Sequence, residues 1–194
     1  QTVRLWPHQN DTGGFYIAVL EKDPSAAGGN GEAGARYQFC PPETPVLPQI
    51  SERFGLSPEL FEPYRLFQHS KKRVHLAAAD HCPPAQPPPD AVGLAVMRVG
   101  MKYPKLSTAA AQLFGAAATR NIVALTRRQA DLYLRRQPVS LTAGQESRCS
   151  GLGYVLVSHR EVVLGVGLYL PRAGVVRSLD PKGCSPQQDA VLRE

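Results

Sequence analysis

"RLWPHQNDTGGFYIAVLEK", residues 4–22, decides how the rest of the chain is read. A basic strand, a Pro-His corner, a Gly-Gly hinge and an apolar strand have the make-up of the finishing edge of a sheet. In the first strand Val3 and Leu5 alternate with Thr2 and Arg4. The second is apolar almost throughout, as a strand covered on both faces would be. A two-stranded hairpin alone is marginal in water. The pair is therefore expected to close a larger sheet whose other strands lie upstream, and a chain that begins at Gln1 rather than Met fits a fragment.

The 194 residues can hold one domain or two small ones, and a hydrophobic fraction of 43% is enough for a core. The 17 Gly and 18 Pro exceed average usage by about half, which signals long loops. A net charge of +6, from 22 Lys and Arg against 16 Asp and Glu, favours a polyanionic partner. Cys40, Cys82, Cys149 and Cys184 are scattered, with no Cys-x-x-Cys and no His pair at ligand spacing, so no metal site is expected and the four thiols read as reduced. No apolar run approaches ~20 residues, so no membrane span is expected.

Residues 23–36, "DPSAAGGNGEAGAR", form a low-complexity linker, a flexible joint whose burial cannot offset its ordering entropy. "YQFCPPETPVLPQI" reads as an extended strap. "SERFGLSPELF" reads as two short helical turns, with Ser57 as an N-cap and Pro58 at the first helical position. "YRLFQHS" and "KRVHLAA" pair across Ser70-Lys71, and "AVGLAVMRVGMKYPKL" resumes as strand. "STAAAQLFGAAATR" is open between helix and a buried turn-rich segment. "NIVALT" is a short strand, and "TRRQADLYLRRQ" is the clearest helix, capped by Thr126 with Ala130, Leu132 and Leu134 on its apolar side. The tail "GYVLVSH", "EVVLGVGLYL", "GVVRSLD" is β-rich, with a turn at His159-Arg160 and bends or bulges at Gly165 and Gly167.

Nothing in this pattern frames a nucleophile or a phosphate loop. "GVGLYLP" lacks the following helix, and "CSGLG" at Cys149 lacks a G-x-S-x-G frame. His8 sits in a polar turn beside the Gly-Gly hinge. Two basic clusters stand out: Lys71, Lys72 and Arg73, then Arg127, Arg128, Arg135 and Arg136. On a continued helix Arg128 and Arg135 share a face. Lys and Arg on phosphate supply affinity without sequence reading. Tyr64, Phe67 and Tyr133, interleaved with these clusters, are candidates to stack on bases.

Residues 4–22 resemble the closing strands of the RNA (cytosine-5) methyltransferase domain of the Sun/Nop family, closest to the eukaryotic multisite tRNA (cytosine-5) methyltransferases. Arg4, Pro7, His8, Thr12, Gly13, Gly14, Phe15, Ala18, Val19 and Leu20 match the family pattern; Tyr16 stands where the family usually has a second Phe. The strap from Tyr37, "RNIVALTRRQADLYL" and the β-rich tail are similar, more loosely, to the family's PUA-like domain. The resemblance implies an α+β chain. Residues 1–22 would close a Rossmann-like sheet, 23–36 link, and 37–194 form a PUA-like α+β domain.

It further implies S-adenosyl-L-methionine as cofactor, tRNA as partner, a monomer, and a nuclear location, with the cytoplasm as the alternative. In the family a Cys thiolate adds to C6 of a flipped-out cytosine, a second Cys assists release, and an Asp handles N3. Those groups sit in Pro-Cys and Thr-Cys contexts that this chain lacks, so no catalytic or cofactor-binding residue is carried over, and the chain by itself is expected to be inactive. His8 and Phe15, near the expected mouth of the target-base pocket, join the two basic clusters as expected RNA contacts. A stand-alone RNA-binding or protein-interaction module without chemistry is the alternative function.

Overall fold

The computed structural model describes residues 2–5, 15–18, 37–84 and 89–181. The chain divides into two compact units, Gln1–Ala35 and Arg36–Glu194. In the first, β1 (Thr2–Leu5) pairs antiparallel with β2 (Phe15–Ala18), Leu5 opposite Phe15 and Thr2 opposite Ala18. The Pro-His corner, the Gly-Gly hinge and the linker read at 23–36 lie outside the described residues.

The second unit is α+β with two sheets. A four-stranded antiparallel sheet runs β3 (Tyr64–Ser70), β4 (Arg73–Ala78), β5 (Leu94–Arg98), β6 (Lys105–Leu106) in chain order. A five-stranded mixed sheet has the order β7 (Ile122–Ala124), β9 (Gly153–His159), β10 (Val162–Leu170), β11 (Val175–Ser178), β8 (Val139–Ser140). Only β7 and β9 run parallel in it, and the remaining pairs are antiparallel.

Strand alternation builds two cores from one sheet. On β9, Tyr154 and Leu156 enter a core shared with the four-stranded sheet and with helices α1 (Val46–Phe54) and α2 (Thr108–Phe114). Val155 and Val157 enter the opposite core, closed by α3 (Arg127–Leu134). A strand covered on both faces has no polar side to show, which is why residues 153–158 are all buried. A short helix, α4 (Ala143–Glu146), follows β8.

The helices correct the sequence reading in two places. "VLPQI" is the first half of α1 and not part of an extended strap. Val46, Ile50 and Phe54 recur every four residues and are all buried, and Pro48 falls in the first turn, where a missing N–H removes no helical bond. The helix begun at Arg127 stops at Leu134, short of the second arginine pair. Pro138 restricts the residue before it, and the end closes with Gln137 N donating to the Leu132 carbonyl at 2.9 Å and Arg136 N to that of Tyr133 at 2.9 Å. Arg136 takes the left-handed position, φ 59°, where glycine is usual. "STAAAQLFGAAATR" resolves as α2 followed by a 3-10 turn, Gly115–Ala117.

In the β9–β10 hairpin the turn is Arg160-Glu161, one residue later than expected, because His159 still pairs with Val162. The register shifts between Val163 and Gly165, so the bulge lies where that glycine was read. Gly167 stays in the ladder; a Cβ there would lie 2.3 Å from a Val176 methyl. No helix among the described residues is long and apolar enough to cross a membrane.

Candidate functional site

The β3–β4 hairpin places Lys71 and Lys72 in its two-residue turn, exposed, and Arg73 at the start of β4. Arg73 lies directly opposite Arg98 on β5, and Arg98 directly opposite Lys105 on β6. Directly paired residues of an antiparallel sheet share a face. Three cations therefore stand side by side across three strands. They border a cleft of about 270 Å³ whose further walls include Met97, Leu106, Val166 and Leu179.

No carboxylate lines this cleft. Among the described residues the only ion pair is Arg135–Asp131, at 3.0 Å on α3. Burial, with Arg98 beside it, lowers the pKa of the Lys105 ammonium, which also lies 5.4 Å from the centre of the Tyr154 ring. Ser107 is committed elsewhere. Its hydroxyl donates to the Ala95 carbonyl at 2.6 Å and accepts from Ala110 N at 3.0 Å as the N-cap of α2.

Like charges directly opposite one another destabilise a sheet. Replacing the exposed Arg98 with glutamine is therefore expected to raise Tm by roughly 1–3 °C, measured by differential scanning calorimetry at low salt. An unchanged or lowered Tm would mean that the row is not repulsive in the free chain.

The second basic cluster is used differently. Arg127 and Arg128 are exposed in the first turn of α3, where a cation opposes the helix dipole. Arg135 donates to both Asp131 oxygens, at 3.1 and 3.0 Å, and the Arg136 guanidinium donates to the Asp180 carbonyl. Because the helix ends at Leu134, Arg128 and Arg135 do not continue one helical face. The four-stranded sheet and α3 pack on opposite faces of the five-stranded sheet, and of the second cluster only Arg136, bonded to the Asp180 carbonyl, comes next to a residue that lines the cleft, Leu179.

The aromatics read as base-stacking candidates are packing groups. Tyr133 and Phe67 are buried, and Tyr64 meets the Phe114 ring edge-on at 5.7 Å. His8 lies outside the described residues, and Phe15 enters as the first residue of β2. Sequence reading missed Arg98 and Lys105. Their only signal was that two of the three cations around the Gly100 turn in "MRVGMKYPK" are Arg98 and Lys105, and without the register nothing sets them, rather than Lys102, beside Arg73.

Cys149 is ill-suited to attack. Burial pushes its thiol up to about 11 against the opposing pull of Arg53, and its Sγ lies 3.6 Å from the Gln145 carbonyl. No group of three or more His, Cys, Asp or Glu among the described residues is placed to hold a metal ion. The turn from parallel strand β7 into α3 has no glycine, and its capping positions are filled by the Thr126 and Gln129 side chains. No protein-family model and no curated protein matches this chain.

Proposed function

We propose that the chain is the C-terminal part of an S-adenosyl-L-methionine-dependent tRNA (cytosine-5) methyltransferase of the Sun/Nop family, acting in the nucleus. On this reading residues 1–22 complete a Rossmann-like catalytic sheet. Residues 37–194, as a PUA-like domain, dock tRNA, while cofactor and catalytic cysteines belong to sequence outside this chain. The methyltransferase half rests on the signature at residues 4–22. The docking half rests on one observation: Arg73, Arg98 and Lys105 are aligned across three strands with no carboxylate among them. A polyanion supplies the charge that this row lacks.

The 194-residue chain is expected to bind tRNA with a Kd between about 1 and 100 µM, weakening steeply as salt rises. Fluorescence anisotropy between 50 and 200 mM salt is the measurement. Absent binding, or binding indifferent to salt, overturns the docking role.

A further inference from the structure

We propose that the cleft bordered by Arg73, Arg98 and Lys105 is a site for one unpaired RNA nucleotide, its phosphate on the cations and its base against Leu179. The inference rests on the RNA-docking reading and adds to it where the RNA binds and in what form.

Size, chemistry and shape point the same way. At about 270 Å³ the cleft is below the usual range for whole drug-sized ligands. It is too small for a duplex and of the order of a single nucleotide. One wall is cationic. The rest of the lining is mixed: the half-buried Leu179, beyond β11, and Thr108 reach the cleft, above Val166 of β10, which is itself only 1% exposed. A ligand filling it must be anionic at one end and flat or apolar at the other. A nucleotide within a duplex offers only its phosphate, because its base faces are already stacked. An unpaired nucleotide offers both ends at once.

No aromatic ring lines the cleft, so a base is held by aliphatic contact and little sequence preference is expected. The partly desolvated Lys105 ammonium, with its lowered pKa, sits where a phosphate would restore lost solvation. Lys71 and Lys72, exposed in the turn that precedes Arg73, extend the positive surface beyond the cleft. An acidic peptide would meet the cations equally well but has no comparable use for Leu179.

The test compares the full 194-residue chain with its R98Q/K105Q double variant. Three probes are used in fluorescence anisotropy: a labelled octauridylate, a blunt 12-base-pair RNA duplex and polyglutamate. The double variant is expected to bind the octauridylate about tenfold more weakly, with the salt slope flattened by about 0.7, the one phosphate contact in the cleft. Duplex binding, resting on phosphates elsewhere as well, should fall less. R127Q/R128Q serves as the control and should leave octauridylate binding within twofold. A raised Tm for R98Q/K105Q, together with weaker binding, excludes unfolding as the cause.

Octauridylate binding unchanged in R98Q/K105Q overturns the inference while leaving tRNA docking intact. So does an equal loss on duplex and single strand, or polyglutamate binding as tightly as the octauridylate. Failure of the unmodified chain to bind any RNA, tRNA included, overturns both this inference and the docking role.

Discussion

Truncation of Tyr133 to alanine should lower folding stability by about 4 kcal/mol, read as a fall in the urea midpoint of the 194-residue chain. The ring is fully buried and belongs to the core of Val123, Val139, Val155, Val157 and Val176, which holds α3 on the five-stranded sheet. Its hydroxyl donates to the Val166 carbonyl at 3.0 Å. That contact is possible because residue 165 is glycine; a Cβ there would lie 2.8 Å from the hydroxyl oxygen. Burial, then the nearby Asp180, pushes the phenol well above its ordinary ionisation range, so it remains a neutral donor.

Alanine removes the ring, leaves a cavity and takes away the shorter of two hydrogen bonds to the Val166 carbonyl, which keeps Leu179 N at 3.3 Å. Phenylalanine removes only the donor, and Tyr133→Phe should cost about 1–2 kcal/mol. The ordering matters for function, because a tyrosine that stacked on bases would behave in the opposite way. Its alanine variant would lose RNA affinity at little cost in stability. A loss under about 1 kcal/mol for Tyr133→Ala would mean that α3 is not docked on this core.

What the sequence disclosed follows from how local each feature is. The N-cap of α3, Thr126, could be read directly, and the structure adds Gln129 to complete a capping box, both of whose bonds form. The same box recurs at Thr142 and Gln145, unread because only four helical residues follow. The two Gln side chains then bond each other at 2.9 Å, a meeting that depends on the sheet order. The hairpins were legible as apolar strands around polar turns, but the register at Arg160 was not, since a one-residue slip changes no residue type.

The candidate site was half legible for the same reason. Lys71, Lys72 and Arg73 are consecutive in the chain. Arg98 and Lys105 become their neighbours only through pairing across β4, β5 and β6. Tyr133 and Phe67 failed as stacking candidates because a basic neighbourhood in sequence says nothing about which side of an element faces the core.

Asn121 gives the second large effect, because one buried side chain there joins three segments. Its Nδ2 donates to the Arg53 carbonyl at 2.6 Å and to Ser150 Oγ at 2.8 Å, and its Oδ1 accepts from Ser150 N at 2.8 Å. Its own carbonyl accepts from Leu156 N at 2.8 Å. The end of α1, the start of β7 and the loop into β9 are thereby held at one point. The residue is 2% exposed and its φ is 51°, a left-handed conformation that asparagine tolerates better than most.

Asn121→Ala should therefore cost about 3 kcal/mol in urea denaturation, combining two orphaned backbone groups with left-handed strain. Asn121→Gly loses the same hydrogen bonds without the strain, and should cost about 1 kcal/mol less. Equal costs for the two variants would remove the backbone half of the argument. A cost near zero for both would remove the whole of it.

The consequence reaches the cationic row through Arg53. Its Nε donates to the Tyr154 carbonyl at 2.9 Å and its Nη1 to Ser150 Oγ at 3.0 Å, and its Nη2 and the Tyr103 ring occupy the space a Cβ on Gly153 would need. Tyr103 lies two residues before Lys105, and the Lys105 ammonium lies over the ring of Tyr154. Loosening Asn121 frees the segment that sets Lys105 against Arg98. The Asn121→Gly variant should accordingly bind octauridylate more weakly even at temperatures where it remains folded, although Asn121 does not line the cleft. Octauridylate affinity unchanged in the folded variant would show that β5 and β6 hold the row unaided.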